Sequence, residues 1–98
     1  MRQYAILLKR GAIDDLDRLR KYDAAQITDA IEKHLTHEPT KESKSRIKRL
    51  RGVKDPDFRL RVADYRVFYS VQQSEWQVHV LRIMHKDETR EYYEELER

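Results

Sequence analysis

Cysteine is absent from this chain, so neither a disulfide framework nor a thiolate metal site is available. Only two glycines occur, too few to build a glycine-rich phosphate loop. No HExxH pattern and no Ser-His-Asp order is present, which removes the commonest zinc and serine hydrolase sites. The leading apolar stretch, Met1 to Leu8, is too short for a signal peptide or a membrane span, and the expected location is the cytoplasm.

What the chain has instead is charge. Forty per cent of its 98 residues are charged, against 39% hydrophobic. The apolar residues still recur at helical and strand periods, so a folded chain is expected, one domain over residues 1–98. The net charge of +3 hides a segregation. Lys41 to Arg66 holds ten basic and four acidic residues, a net of +6, whereas Asp87 to Arg98 holds two basic and six acidic, a net of −4. A basic middle points to a polyanion, nucleic acid being the commonest. Taken alone, a basic run fits plain solvation equally well.

The stretch Phe58 to Val71 sharpens this. With Ala63-Asp64 as a two-residue hairpin loop, Arg61 faces Arg66, Arg59 faces Phe68 and Leu60 faces Val67. Phe58, Leu60, Val62, Tyr65, Val67 and Tyr69 then back a core. Arg59, Arg61, Arg66 and Phe68 share the other face. Two arginines directly across a ladder repel one another, so an anion is expected to visit that face.

Around this hairpin, Gln3 to Lys9 reads as a strand broken by Gly11. Ala12, Ile13, Leu16 and Leu19 mark a short helix, with Asp14 and Asp15 suited to its N-terminal end. Asp23 and Gln26 form a capping-box pattern for a second helix carrying Ile27, Ala30, Ile31 and Leu35 and stopped by Pro39. The two helices form a hairpin on the sheet. Thr40 to Lys54 reads as a basic connection tacked down by Ile47 and Leu50. Gln72 to Glu75 is a turn and Trp76 to Ile83 a strand, pairing Val71 with Trp76, Tyr69 with Val78 and Val67 with Val80. That register puts His79 beside Phe68 and Leu81 beside Arg66. Asp87 to Leu96 is a short acidic helix whose Tyr92, Tyr93 and Leu96 serve to pack it. The expected class is α+β: a strand, a helical hairpin, antiparallel strands in one sheet and a C-terminal helix.

His34 and His37 stand three apart on one helix but lack further ligands, and no metal site is expected. His79 reads as a partly solvated strand histidine, with no ligand cluster around it. The arginine face suits phosphodiester recognition, guanidinium gripping phosphate and rings stacking on bases. It also suits RNA cleavage by 2′-hydroxyl attack, where charge grows on the phosphoryl oxygens. Arginine is a poor base, which leaves His85, Lys86 and Tyr92 as the titrating groups near the strand end.

The segments RLRGVKDPDFRLRVADYRVFYSV and VHVLRIMHKDETREYY resemble the RelE/ParE toxin superfamily, specifically its RelE branch. The pattern-bearing residues are Leu50-Arg51-Gly52, Arg59 to Val67 with Tyr69, and Val80-Leu81 with Ile83, His85 and Lys86. The resemblance implies a RelE-like fold and a toxin of a type II toxin–antitoxin pair. It implies an endoribonuclease that enters the ribosome and cleaves messenger RNA without metal or cofactor. The family's catalytic positions fall on Arg59, Arg61, Arg66, Lys86 and Tyr92, with Tyr93 a rival for the last. Arg61 and Arg66 would clamp the scissile phosphate, assisted by Arg59, and Lys86 and Tyr92 would move protons or stack. Lys44, Arg46, Lys48, Arg49, Arg51 and Lys54 would hold ribosomal RNA, and Phe68, His79 and His85 complete the expected RNA-facing set. The implied partners are a small acidic antitoxin encoded beside it, the ribosome and messenger RNA, with no membrane. Some relatives carry lysines at the positions of Arg59 and Arg61, and many have arginine at Lys86 and glycine at Ala63. Two other readings stay open: a ParE-like toxin that binds DNA gyrase, and a catalytically silent RNA- or protein-binding module.

Overall fold

A computed structural model describes residues 2–97. One five-stranded sheet has the order β1-β5-β4-β3-β2. Its strands are β1 (Ala5–Leu8), β2 (Ile47–Arg49), β3 (Phe58–Val62), β4 (Tyr65–Gln72) and β5 (Gln77–His85). The helices are α1 (Arg10–Asp17), α2 (Lys21–Leu35) and α3 (Thr89–Leu96). β1 runs parallel to β5, and the other pairings are antiparallel. The α+β class is therefore as expected.

The central hairpin has the predicted register: Phe58 opposes Tyr69, Leu60 opposes Val67 and Arg61 opposes Arg66. Alternation and the two-residue turn set this together, because a slip by one residue would expose the whole apolar set. Leu60, Val67, Tyr69, Val78 and Val80 meet Ala12, Ile27, Ile31 and Leu35 in the main core. Buried Tyr69 donates its hydroxyl hydrogen to the Pro39 carbonyl at 2.6 Å, so its polar tip does not oppose burial. Ala63 adopts the turn with φ of 53°, the left-handed region that a side chain enters at a cost of about 1 kcal/mol.

Four local expectations are corrected. The connection Thr40 to Lys54 contains β2, whose Lys48 opposes Arg59. Its outward amides are met nearby: Ser43 Oγ accepts the Ile47 N–H and Glu42 Oε1 the Arg49 N–H. That self-covering lets so polar a segment form an edge strand. Gly11 does not break a strand; it lies in the first turn of α1. A Cβ there would stand 2.8 Å from the Leu81 carbonyl oxygen, so glycine permits α1 to approach β5. Asp23 is not the cap of α2, which begins at Lys21 after Arg20; it accepts hydrogen bonds from Arg20 and Tyr65.

The fourth correction is the β4–β5 register. A 3-10 turn over Gln73–Glu75 and a left-handed Trp76 (φ 55°) shift it, so Val71 opposes Val78 and Tyr69 opposes Val80. A bulge then absorbs one residue between the Tyr69–Val80 and Phe68–Arg82 pairs. It reverses the faces along β5, turning Ile83 into the core and Arg82 and Met84 to the arginine side. His79 consequently opposes Ser70 rather than lying beside Phe68, and Met84 rather than Leu81 opposes Arg66.

Candidate functional site

The face away from the α1–α2 hairpin divides into two corners. At the β3–β4 end, the ladder brings Arg61 opposite Arg66, with Arg59 two pairs along on the same face and Lys48 beside Arg59. Among the described residues, Arg59, Arg61 and Arg66 form no salt bridge. Arg66 donates to the carbonyls of Ala63 and Tyr65 at 3.0 and 2.9 Å, which anchors its guanidinium over the turn. Burial lowers its proton affinity from the ordinary arginine value, and Arg59 and Arg61 add to the lowering. It nevertheless stays charged at neutral pH. Arg59 Nε is buried with no hydrogen-bond partner. This corner is thus a preformed cationic patch whose mutual repulsion an anion would relieve.

The other corner is closed. Asp15, in the buried stripe of α1, accepts from Arg82 Nε at 2.8 Å, Arg82 Nη2 at 3.2 Å and the Ile83 N–H at 2.7 Å. It therefore satisfies an amide at the bulged end of β5 while binding the arginine beside it. These hydrogen bonds raise the Arg82 proton affinity above the ordinary value, although burial opposes them. Asp15 was expected to serve the N-terminal end of α1. The available sequence signal was its position, three residues after Ala12 and four before Leu19, a charge within an apolar stripe.

The C-terminal helix decides what lies above the face. Phe68 is wholly buried, under Tyr92 at 4.7 Å and Tyr93 at 5.7 Å between ring centroids, with Met84, Leu50 and Leu96 alongside. Phe68 is therefore corrected from a base-stacking ring to the centre of a second small core. Tyr92 is buried and its hydroxyl pKa is pushed up to about 12 by that burial, with Arg82 opposing. The side chain that reaches the open arginines is Tyr93, in a groove of about 340 Å³ with Arg59, Lys48 and Arg51.

The other expected residues separate. Arg46 lines a hollow with Arg61. Lys44, Lys48, Arg49 and Arg51 share an open hollow on the β2 side. The Arg49 guanidinium also sits 5.0 Å from the Phe58 ring centroid. Lys54 is exposed in the following loop. Lys86 stands at the hairpin turn, its Nζ 3.6 Å from Asp64. His79 is four residues along β4 from Arg66, and its Nε2 lies 3.0 Å from Gln77 Oε1. His85 faces the opposite side with Tyr65, and its Nδ1 accepts the Asp87 N–H, capping the turn after β5. The strand geometry thus takes His79 and His85 out of the arginine cluster.

Among the described residues no group of three or more histidine or acidic side chains is arranged to hold a metal ion. No helix among them is long and apolar enough to cross a membrane.

A helical hairpin packed on one face of a five-stranded mixed sheet matches the fold of the RelE toxins. The chain belongs to the family described as the ParE toxin of type II toxin–antitoxin systems, parDE, whose model matches residues 6–90. Among solved structures, it is similar to an Escherichia coli RelE toxin mutant in the free state, at 25% identity and a TM-score of 0.71. That match covers 96% of this chain and 94% of the other. It is similar to a chain of the RelE–RelB complex of the archaeon Pyrococcus horikoshii at 26% identity and a TM-score of 0.63, covering 85% and 94%. A chain of the Mycobacterium tuberculosis RelBE2 toxin–antitoxin complex matches at 24% identity and a TM-score of 0.68, covering 85% and 98%. No curated protein matches.

Proposed function

We propose that this toxin is a ribosome-dependent messenger-RNA endoribonuclease that inhibits translation. The observation that carries the reading is the Arg59–Arg61–Arg66 patch: three cations held together by the ladder, without a carboxylate partner among the described residues, beside an accessible Tyr93. In the reaction, a 2′-oxygen forms a bond to the adjacent phosphorus while the bond to the 5′-oxygen breaks. The phosphoryl oxygens gain negative charge on the way. Arg61 and Arg66 stabilise that charge with donors already in place. Arg59 assists from two residues along β3 on the same face, adding its positive charge. Tyr93 stacks on a neighbouring base in the role first expected of Tyr92. Lys86, at the edge of the site, gives a proton to the departing 5′-oxygen, while the 2′-hydroxyl proton leaves to water.

The partner in the cell is a small acidic antitoxin encoded beside the toxin, as the toxin–antitoxin complexes among the structural matches support. The ribosome as target places the toxin in the cytoplasm. A second reading, a ParE-like toxin that binds DNA gyrase without cutting nucleic acid, is favoured by the ParE family match. Induction in cells with mapping of transcript ends separates the two. Codon-phased new ends and a halt in translation are the expected result. Intact messages with a DNA-damage response would select gyrase, and an absence of toxicity would select the silent module.

A further inference from the structure

A second cationic hollow lies on the helix side of β2. An open groove of about 360 Å³ runs between the last turns of α2 and the segment entering β2, lined by Lys33, His34, Lys41, Ser43 and Arg46. Two acids share it, and both are engaged. Glu38 pairs with Lys41 at 3.5 Å, and Glu42 accepts the Arg49 N–H at 3.0 Å. Lys33 and Arg46 form no salt bridge among the described residues. Ser43 Oγ accepts the N–H groups of Arg46 and Ile47 at 3.1 and 3.2 Å, which leaves its hydroxyl proton to donate.

The C-terminal end of α2 by itself attracts a cation, not an anion. Its side chains reverse that sign. Burial lowers the proton affinity of half-buried His34, and Arg46 and then Lys33 lower it further. Arg46 also lines the hollow that contains Arg61. Cations therefore continue from this groove around the β2 edge to Arg61 and Arg66.

We propose that the groove holds a backbone phosphate of the same RNA strand that presents its scissile phosphate to Arg61 and Arg66. Arg46 and Lys33 supply the charge, Ser43 a hydroxyl donor and His34 a proton-linked contact; the assignment rests on the endoribonuclease reading. A bound phosphate stabilises the imidazolium, so the His34 pKa rises on binding and affinity increases as pH falls through that range. The other charged or titratable groups facing His34 are Lys33, His37, Glu38, Lys41, Glu42 and Arg46.

The test follows the His34 ring signal by NMR in the full chain, assigned by its loss in His34→Gln. Inorganic phosphate is added first, then a short 2′-O-methyl oligoribonucleotide that cannot be cleaved. Both are expected to shift His34 and raise its titration midpoint while His79 stays still. Arg46→Gln is expected to weaken oligonucleotide binding about fivefold to tenfold and to reduce the salt slope by about 0.7. Lys33→Gln, on an exposed helical position, repeats the measurement should Arg46→Gln melt early. In Arg61→Ala, cleavage is lost while His34 still responds to inorganic phosphate. If the parent binds the oligonucleotide at His34 but cleaves no message, the nuclease reading falls and the phosphate site stands. An unresponsive His34, a response unchanged in both Arg46→Gln and Lys33→Gln, or a response to an acidic peptide but not to the oligonucleotide overturns the proposal.

Discussion

Arg66 and Arg82 project from the same face of the sheet on adjacent strands and meet opposite environments. Arg82 is held by a buried carboxylate and its proton affinity is raised; Arg66 is held only by carbonyls among other arginines and its proton affinity is lowered. The same division runs through the tyrosines of α3, where Tyr92 packs over Phe68 beside Arg82 and Tyr93 lines the groove with Arg59. Residue type therefore does not decide role on this surface. What decides it is whether the fold supplies a carboxylate. The corner with Asp15 locks α1, β5 and α3 together. At the other, Asp64 pairs with Lys86 and Glu97 only lines the groove of Arg59, which leaves Arg59, Arg61 and Arg66 without an ion pair among the described residues.

Breaking the closed corner should chiefly affect stability. Phe68→Ala leaves a cavity under both tyrosines and should cost about 4 kcal/mol, read as a lower urea midpoint. Asp15→Ala strips three hydrogen bonds and leaves both Arg82 and the Ile83 amide unpaired, at about 3 kcal/mol. Asp15→Ala combined with Arg82→Leu should recover part of that loss, and strictly additive effects would contradict the coupling.

Breaking the open corner should chiefly affect activity. Arg66→Ala is expected to lower message cleavage about a hundredfold while the unfolding free energy from urea titration stays within about 0.5 kcal/mol of the parent, because it relieves repulsion. A large stability loss with cleavage intact would reverse the assignment. Tyr93→Ala should weaken cleavage about tenfold through lost stacking, whereas Tyr92→Phe keeps its ring packing and should leave cleavage near the parent level.

The smallest effect is alkaline. Tyr92 is raised from 10.0 to about 12 in the folded state, so its stabilising contribution is full below pH 10 and fades as pH climbs towards 12. Burial raises Tyr69 in the same direction. The loss assigned to Tyr92 should reach about 1 kcal/mol near pH 11 and shrink in Tyr92→Phe, as denaturant titrations across that range would show.

Much of the fold and half of the site are legible in order along the chain. Strand alternation and a two-residue turn are properties of neighbours, so they placed Arg61 opposite Arg66 and the apolar set on the core side. Apolar spacing likewise located α1 and α2. The basic connection concealed β2 because an edge strand needs few apolar residues once Ser43 and Glu42 cover its amides. Phe68 was misplaced because alternation assigns a face without saying what covers it.

Local order also could not supply the bulge, the docking of α3 or the partner of Arg82. The bulge lies where β5 runs past the end of β1, after the Leu8–Val80 pair, and it alone turns Arg82 and Met84 away from the core. The Asp15–Arg82 contact joins residues 67 apart in the chain. Periodicity reaches one turn or one strand pair, whereas a charge is neutralised by whatever packing brings within hydrogen-bond range. The ladder therefore follows from the residues in sequence, and the choice of which arginines remain free belongs to the assembled fold.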